Sequence, residues 1–158
     1  MSESLSHKAM KFTLASAVDE ALESKEKSTG TDLFVEKGVD SSQVGILADV
    51  RLDLPHKDFK GFLFEVKARC NKRERTRSIH QLASYLRAGY HPVLVAPSEF
   101  YDSTDVKMDP KHHRISYQRI VRSLGAHIID VTAEEGLQFK PVSHHQYDSI
   151  EEFLFDRT

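Results

Sequence analysis

Three charged residues in the middle of the chain could do hydrolytic chemistry together: Asp49, Glu65 and Lys67. Glu65 and Lys67 stand two apart within residues 61–69, whose aromatic and branched residues read as a β-strand opening on a glycine. Alternation with period two sends Phe62, Phe64, Val66 and Ala68 towards a core, and Leu63, Glu65, Lys67 and Arg69 the other way. Asp49 belongs to a second strand, residues 45–54. There Ile46, Ala48, Val50, Leu52 and Leu54 share one face, and Leu47, Asp49, Arg51 and Asp53 the other. The link over residues 55–60 is short and polar, so a hairpin joins the two. Bringing the apolar faces together gathers Asp49, Glu65 and Lys67 opposite them. Two carboxylates so placed can hold a divalent cation between their oxygens, with an ammonium beside it. The competing reading is an ordinary exposed hairpin face with a cross-strand salt bridge, which is worth little.

The neighbouring elements must position these groups. After the central strand, Lys67, Arg69, Lys72, Arg73, Arg75 and Arg77 face a single acid, Glu74. This run reads as a basic loop leading into a helix, suited to phosphate contacts or, more blandly, to solvent. The helix is predicted over 78–88, with Ile79, Leu82, Ala83 and Leu86 as its apolar stripe and Gly89 as its stop. Gln81 and Tyr85, four apart, share a face beside that stripe. Ser78 and Gln81 also fit a capping box, and Tyr85 could simply edge the core. Residues 92–97, apolar and bounded by prolines, read as a buried strand.

Upstream, Met10, Leu14, Val18, Ala21 and Leu22 recur at helical spacing over 6–25, with Asp19, Glu20 and Glu23 towards the far end. A short strand over 31–37 follows. Downstream come a loop at 98–110, a helix at 114–124, a strand at 127–131 and an edge segment at 137–140. A capping box from Asp148 to Glu151 then opens a short helix with Ile150, Phe153 and Leu154 inward.

A chain of 158 residues suits one domain with a sizeable core. A formal charge of −2 means that any basic surface must be local. The lone Cys70 rules out an internal disulfide framework and a CxxC metal site. No apolar run reaches membrane-spanning length and the N-terminus has no signal-peptide pattern, so no membrane partner and a cytoplasmic location are expected. The pairs His112–His113 and His144–His145 lack a third ligand at a familiar spacing and read as loop histidines.

With Asp49 on one strand, Glu65-Val66-Lys67 on the next and Gln81-Leu82-Ala83-Ser84-Tyr85 on the following helix, the chain resembles the PD-(D/E)XK nuclease superfamily. The last segment is similar to the QxxxY motif of its RecB-like branch. Ala48 stands where the family name implies proline. The resemblance implies an α/β fold with a restriction-endonuclease-like core: a central mixed sheet of four to five strands flanked by helices, αβββαβ and then αβ. It covers about 6–131 of a single domain spanning 1–158, with 132–158 as an extension. It implies Mg²⁺, replaceable by Mn²⁺, on Asp49, Glu65 and the carbonyl of Val66, joined by a helix-one acid, Glu20 or, close behind it, Glu23. Asp53 is the reserve ligand. Lys67 would orient or help deprotonate the attacking water or stabilise the phosphorane, and Gln81 and Tyr85 would position the strand. The basic set is Arg69, Lys72, Arg73, Arg75 and Arg77. The activity implied is hydrolysis of DNA phosphodiester bonds, by a RecB-like exonuclease or a structure-specific endonuclease, with a homodimer among the possibilities. The alternative is a protein of the same fold that binds nucleic acid or assembles with partners without turnover.

Overall fold

Ser6 starts the first helix: its Oγ accepts the Ala9 N–H at 3.3 Å, satisfying one of the orphan donors of the first turn. From there the computed structural model describes residues 6–24, 32–35, 48–54, 58–68, 72–97, 119, 121, 123–133, 135–141 and 147–155. Among them the order is α1 (His7–Ser24), β1 (Asp32–Val35), β2 (Val50–Asp53), β3 (Phe62–Val66), α2 (Lys72–Arg87), β4 (His91–Pro97), β5 (His127–Thr132), β6 (Gln138–Pro141) and α3 (Ile150–Phe155).

The strands form one mixed sheet in sequential order, β1 to β6. β1, β2 and β3 run antiparallel, β3, β4 and β5 parallel, and β6 closes the far edge antiparallel. The α/β class and the mixed sheet are as expected. The sheet has six strands rather than the four to five of the core, because the edge segment expected at 137–140 forms Gln138–Pro141 and adds an edge beyond β5.

The hairpin register pairs Val50 with Phe64 and Leu52 with Phe62, so the apolar residues of the two strands meet. On that face Met10, Leu14 and Val18 of α1 and Phe153 and Leu154 of α3 pack over Phe62, Phe64 and Val66. The other face of the sheet is covered too. Leu82 and Tyr85 of α2 bury Leu63, Leu94, Ala96 and Ile128 there. All five residues of β3 are buried in consequence. The cause is topological: β3 and β4 are parallel, and the crossover between parallel strands must lie on a face of the sheet.

α2 departs most from expectation. It begins at Lys72, not at residue 78. The basic run carries no apolar stripe to announce a helix, yet Lys, Arg and Glu are good helix formers. Ser78 is therefore no cap. It lies inside the helix and donates to the carbonyl of Arg75 at 2.7 Å. Gly89, at φ 89°, ends the helix as expected. Its N–H donates to Leu86 O at 3.0 Å and the Tyr90 N–H to Tyr85 O at 3.2 Å, a Schellman stop. In the short α3 the cap is Ser149, whose Oγ accepts the Glu152 N–H at 3.1 Å, one position later than the pattern suggested.

Most of the helix predicted at 114–124 lies outside the described residues, as do Cys70 and both histidine pairs; Arg119, Val121 and Ser123 are helical. No helix among the described residues is long and apolar enough to cross a membrane.

Candidate active site

Lys67 follows the last residue of β3, and its N–H still donates to Val95 O on β4, at 2.9 Å. The end of the strand is thus pinned, and alternation turns Glu65 and Lys67 towards α2. The Lys67 ammonium lies 3.0 Å from Glu65 Oε1 and 3.0 Å from Glu74 Oε2 in the first turn of α2. The Tyr85 hydroxyl, three turns further along α2, donates to the other Glu65 oxygen, Oε2. Glu65 is 4% exposed and Lys67 7%. Such a pair persists in the interior only when its remaining polar atoms are satisfied as well. Tyr85 and Glu74 do this.

Asp49 occupies the bend before β2. Its Oδ2 accepts the Val66 N–H at 2.8 Å, and its Oδ1 lies 3.3 Å from His7 Nε2. Continuing the Val50–Phe64 register by one step sets Asp49 opposite Glu65. Burial, and then the negative charge of Asp49, hold the Glu65 carboxyl above its ordinary value, against the opposing pull of Lys67 and Tyr85. Burial and the Glu65 carboxylate likewise raise the Tyr85 phenol, which stays a donor. The hydrogen bond from Lys67 keeps Glu74 below the ordinary carboxylate range.

Asp49, Glu65, Lys67 and Tyr85 are therefore gathered as the sequence suggested. Gln81 stands one turn before Tyr85, and its Oε1 is buried with no hydrogen-bond partner. The side chain of Val66 is buried in the α1 core, which leaves only its backbone for the site. Two residues were not anticipated. In the sequence Glu74 stands as a lone acid in a basic run; its signal is the spacing from Lys67 across a strand-to-helix turn. His7 lies off the apolar stripe of α1 and at no motif spacing from Asp49, so the sequence does not single it out. The Ser6 cap puts residue 7 in the first turn, and only the packing of α1 over the sheet brings that turn to Asp49.

Other expectations are corrected. Glu20 is exposed and stands about 20 Å along α1 from His7, so it does not join Asp49. Asp53 is not a reserve ligand. Arg51 grips both its oxygens, Nε to Oδ1 at 3.0 Å and Nη2 to Oδ2 at 2.8 Å, and the Tyr90 hydroxyl donates to Oδ1 at 2.9 Å. These bonds outweigh its partial burial and lower its pKa. Of the basic set, Arg73 and Arg77 are exposed on α2, whereas Arg75 is buried and cannot be a surface phosphate contact. Lys72 is the first residue of α2, and Arg69 lies outside the described residues.

The donor chemistry fits a hard divalent cation: two carboxylates on paired strands, with the negative charge of Asp49 acting on Glu65. Among the described residues no group of three or more His, Cys, Asp or Glu side chains is assembled to hold an ion. Any further ligands would be backbone oxygen and water. Comparison of the chain with family models, with curated proteins and with solved structures yields no match.

Proposed function

We propose that the chain is a metal-dependent deoxyribonuclease of the PD-(D/E)XK type, RecB-like in its helix motif. One observation carries the reading: a buried Glu65–Lys67 pair at the carboxyl end of a parallel strand, with Asp49 across the hairpin and Tyr85 bonded to Glu65. The carboxyl ends of strands in such sheets are where ligands gather. The order helix, three strands, helix, strand supports the same reading.

In this reading Asp49, Glu65 and the Val66 carbonyl hold Mg²⁺ or Mn²⁺. A cation held there would supply charge neutralisation at the scissile phosphate and a water acidic enough to attack near neutral pH. Lys67 is already positioned from two sides, and it donates to the attacking water or to the phosphate oxygen that gains charge. Tyr85 keeps Glu65 in place, and Gln81 has a free acceptor one turn away.

The test is cleavage of labelled single-stranded, duplex, flapped and four-way-junction DNA in Mg²⁺, Mn²⁺ or EDTA, with Glu65→Ala and Lys67→Ala alongside. Metal-dependent cutting that falls by about 100-fold or more in both variants is expected. The second reading, a binding or assembly protein without turnover, draws on the closed state of the network: both Glu65 oxygens and the Lys67 ammonium are engaged within the protein. Binding without cutting under every condition would establish it.

A further inference from the structure

The outer side of α2 carries a single file of basic side chains. Arg73, Arg77, His80 and Arg87 stand at positions i, i+4, i+7 and i+14, so they line one side of the helix. All four are exposed, and the row is about 21 Å long by helical rise. The only other exposed side chains described on α2, Thr76 and Leu86, carry no charge. An open depression of about 670 Å³ runs along the first half of the row, lined by Arg73, Thr76, Arg77 and His80. The row starts in the same first turn as Glu74, the partner of Lys67. In a chain of formal charge −2 this file is a local departure, not a sample of the average surface.

We propose that this row binds the sugar–phosphate backbone of one nucleic-acid strand and lays it lengthwise towards Lys67 and Glu65. The destination rests on the nuclease reading; the binding does not. A duplex is gripped through phosphates on both sides of a groove roughly 6 or 12 Å wide, which takes two rows of contacts. One row on one ridge matches one backbone. Guanidinium groups favour phosphate over the carboxylates of an acidic peptide here, because phosphates repeat along a strand and each can accept a two-pronged Arg contact.

The test is fluorescence anisotropy in EDTA with labelled single-stranded oligothymidylate, a labelled duplex and polyglutamate, across a salt series. Single strands lose about 0.7 in log K per log salt for each phosphate contacted, so three arginines give a slope near −2. Arg77→Gln with Arg87→Gln should reduce that slope by about 1.4 and weaken binding at low salt by roughly tenfold or more. Both positions are exposed, and unchanged circular dichroism would show that the variant is folded. An unchanged slope in the folded double variant overturns the proposal. So does duplex bound more tightly than single strand, or polyglutamate bound as well as either. Glu65→Gln separates the two readings, since it should abolish cutting and leave the slope intact. Wild-type protein that binds with this slope and never cuts would sink the nuclease reading alone. Cutting retained with an unchanged slope in the double variant would sink the row alone.

Discussion

Lys67 is held by carboxylates from two elements, and the two behave oppositely with pH. Burial and Asp49 raise the Glu65 carboxyl above its ordinary value of 4.5. Between that value and the raised native one, the folded chain holds a proton that the unfolded chain has released. Stability therefore falls as pH rises through this window and stays lower above it. Glu65→Gln keeps the shape and removes the charge, and Lys67 retains Glu74. The variant should melt above wild type, by a margin that widens as pH rises above the ordinary value of 4.5. A variant that melts lower at the upper pH would mean that Lys67 needs this carboxylate more than burial disfavours it. At this scale the sequence was informative for Asp49, Glu65, Lys67 and Tyr85, because strand alternation and an i, i+4 helix pair are local rules. It was silent on His7, whose meeting with Asp49 depends on where α1 lies over the sheet. It also misassigned Asp53, since the Arg51 side chain that claims this acid sits on the same strand, on the same face, and could be judged only with its rotamer in view.

Gly61 shows how the strands constrain one another. It has φ 153°, and a Cβ there would come within 1.9 Å of Leu52 O across the hairpin. Neither backbone can yield without breaking the pairing of β2 with β3. Gly61→Ala should cost about 2 kcal/mol or more, read as a lower urea midpoint, and should disturb the site it precedes. A midpoint within error of wild type would show that the hairpin can shift. Elements with strong periodicity were legible from composition alone: α1 from its buried Met10, Leu14 and Val18, β4 from its apolar run, the hairpin from alternation. α2 was half legible. Its apolar half follows the helical period, but its first turns are charged all round, and nothing local distinguishes a charged helix from a charged loop. What decides is the tertiary contact from Glu74 to Lys67, together with the dipole of the first turn, which favours an acid there.

At the scale of the molecule, two cores sit on opposite faces of one sheet, and the proposed site lies in the layer under α2. A cation bound by Asp49 and Glu65 would stabilise the whole fold by mass action. At tenfold over its dissociation constant that amounts to about 1.4 kcal/mol, or a few degrees in Tm. Addition of Mg²⁺ should raise Tm in wild type and EDTA should reverse it, whereas Glu65→Gln should show no rise. Equal shifts in both proteins would place the ion elsewhere. The sixth strand was legible as an edge segment at 137–140, but not its place beside β5, because it is four residues long and three of its members remain at least partly exposed. A different consequence follows from the two tyrosines that fasten α2 and the turn after it to the hairpin. Tyr85 donates to Glu65 and Tyr90 to Asp53, and the chain contains no tryptophan. A phenol bonded to a carboxylate emits weakly, so two of the five tyrosines should be quenched at the sheet, with no tryptophan to mask them. The protein therefore carries its own optical gauge: any ligand that draws Glu65 away from Tyr85 should brighten the emission of the unlabelled chain.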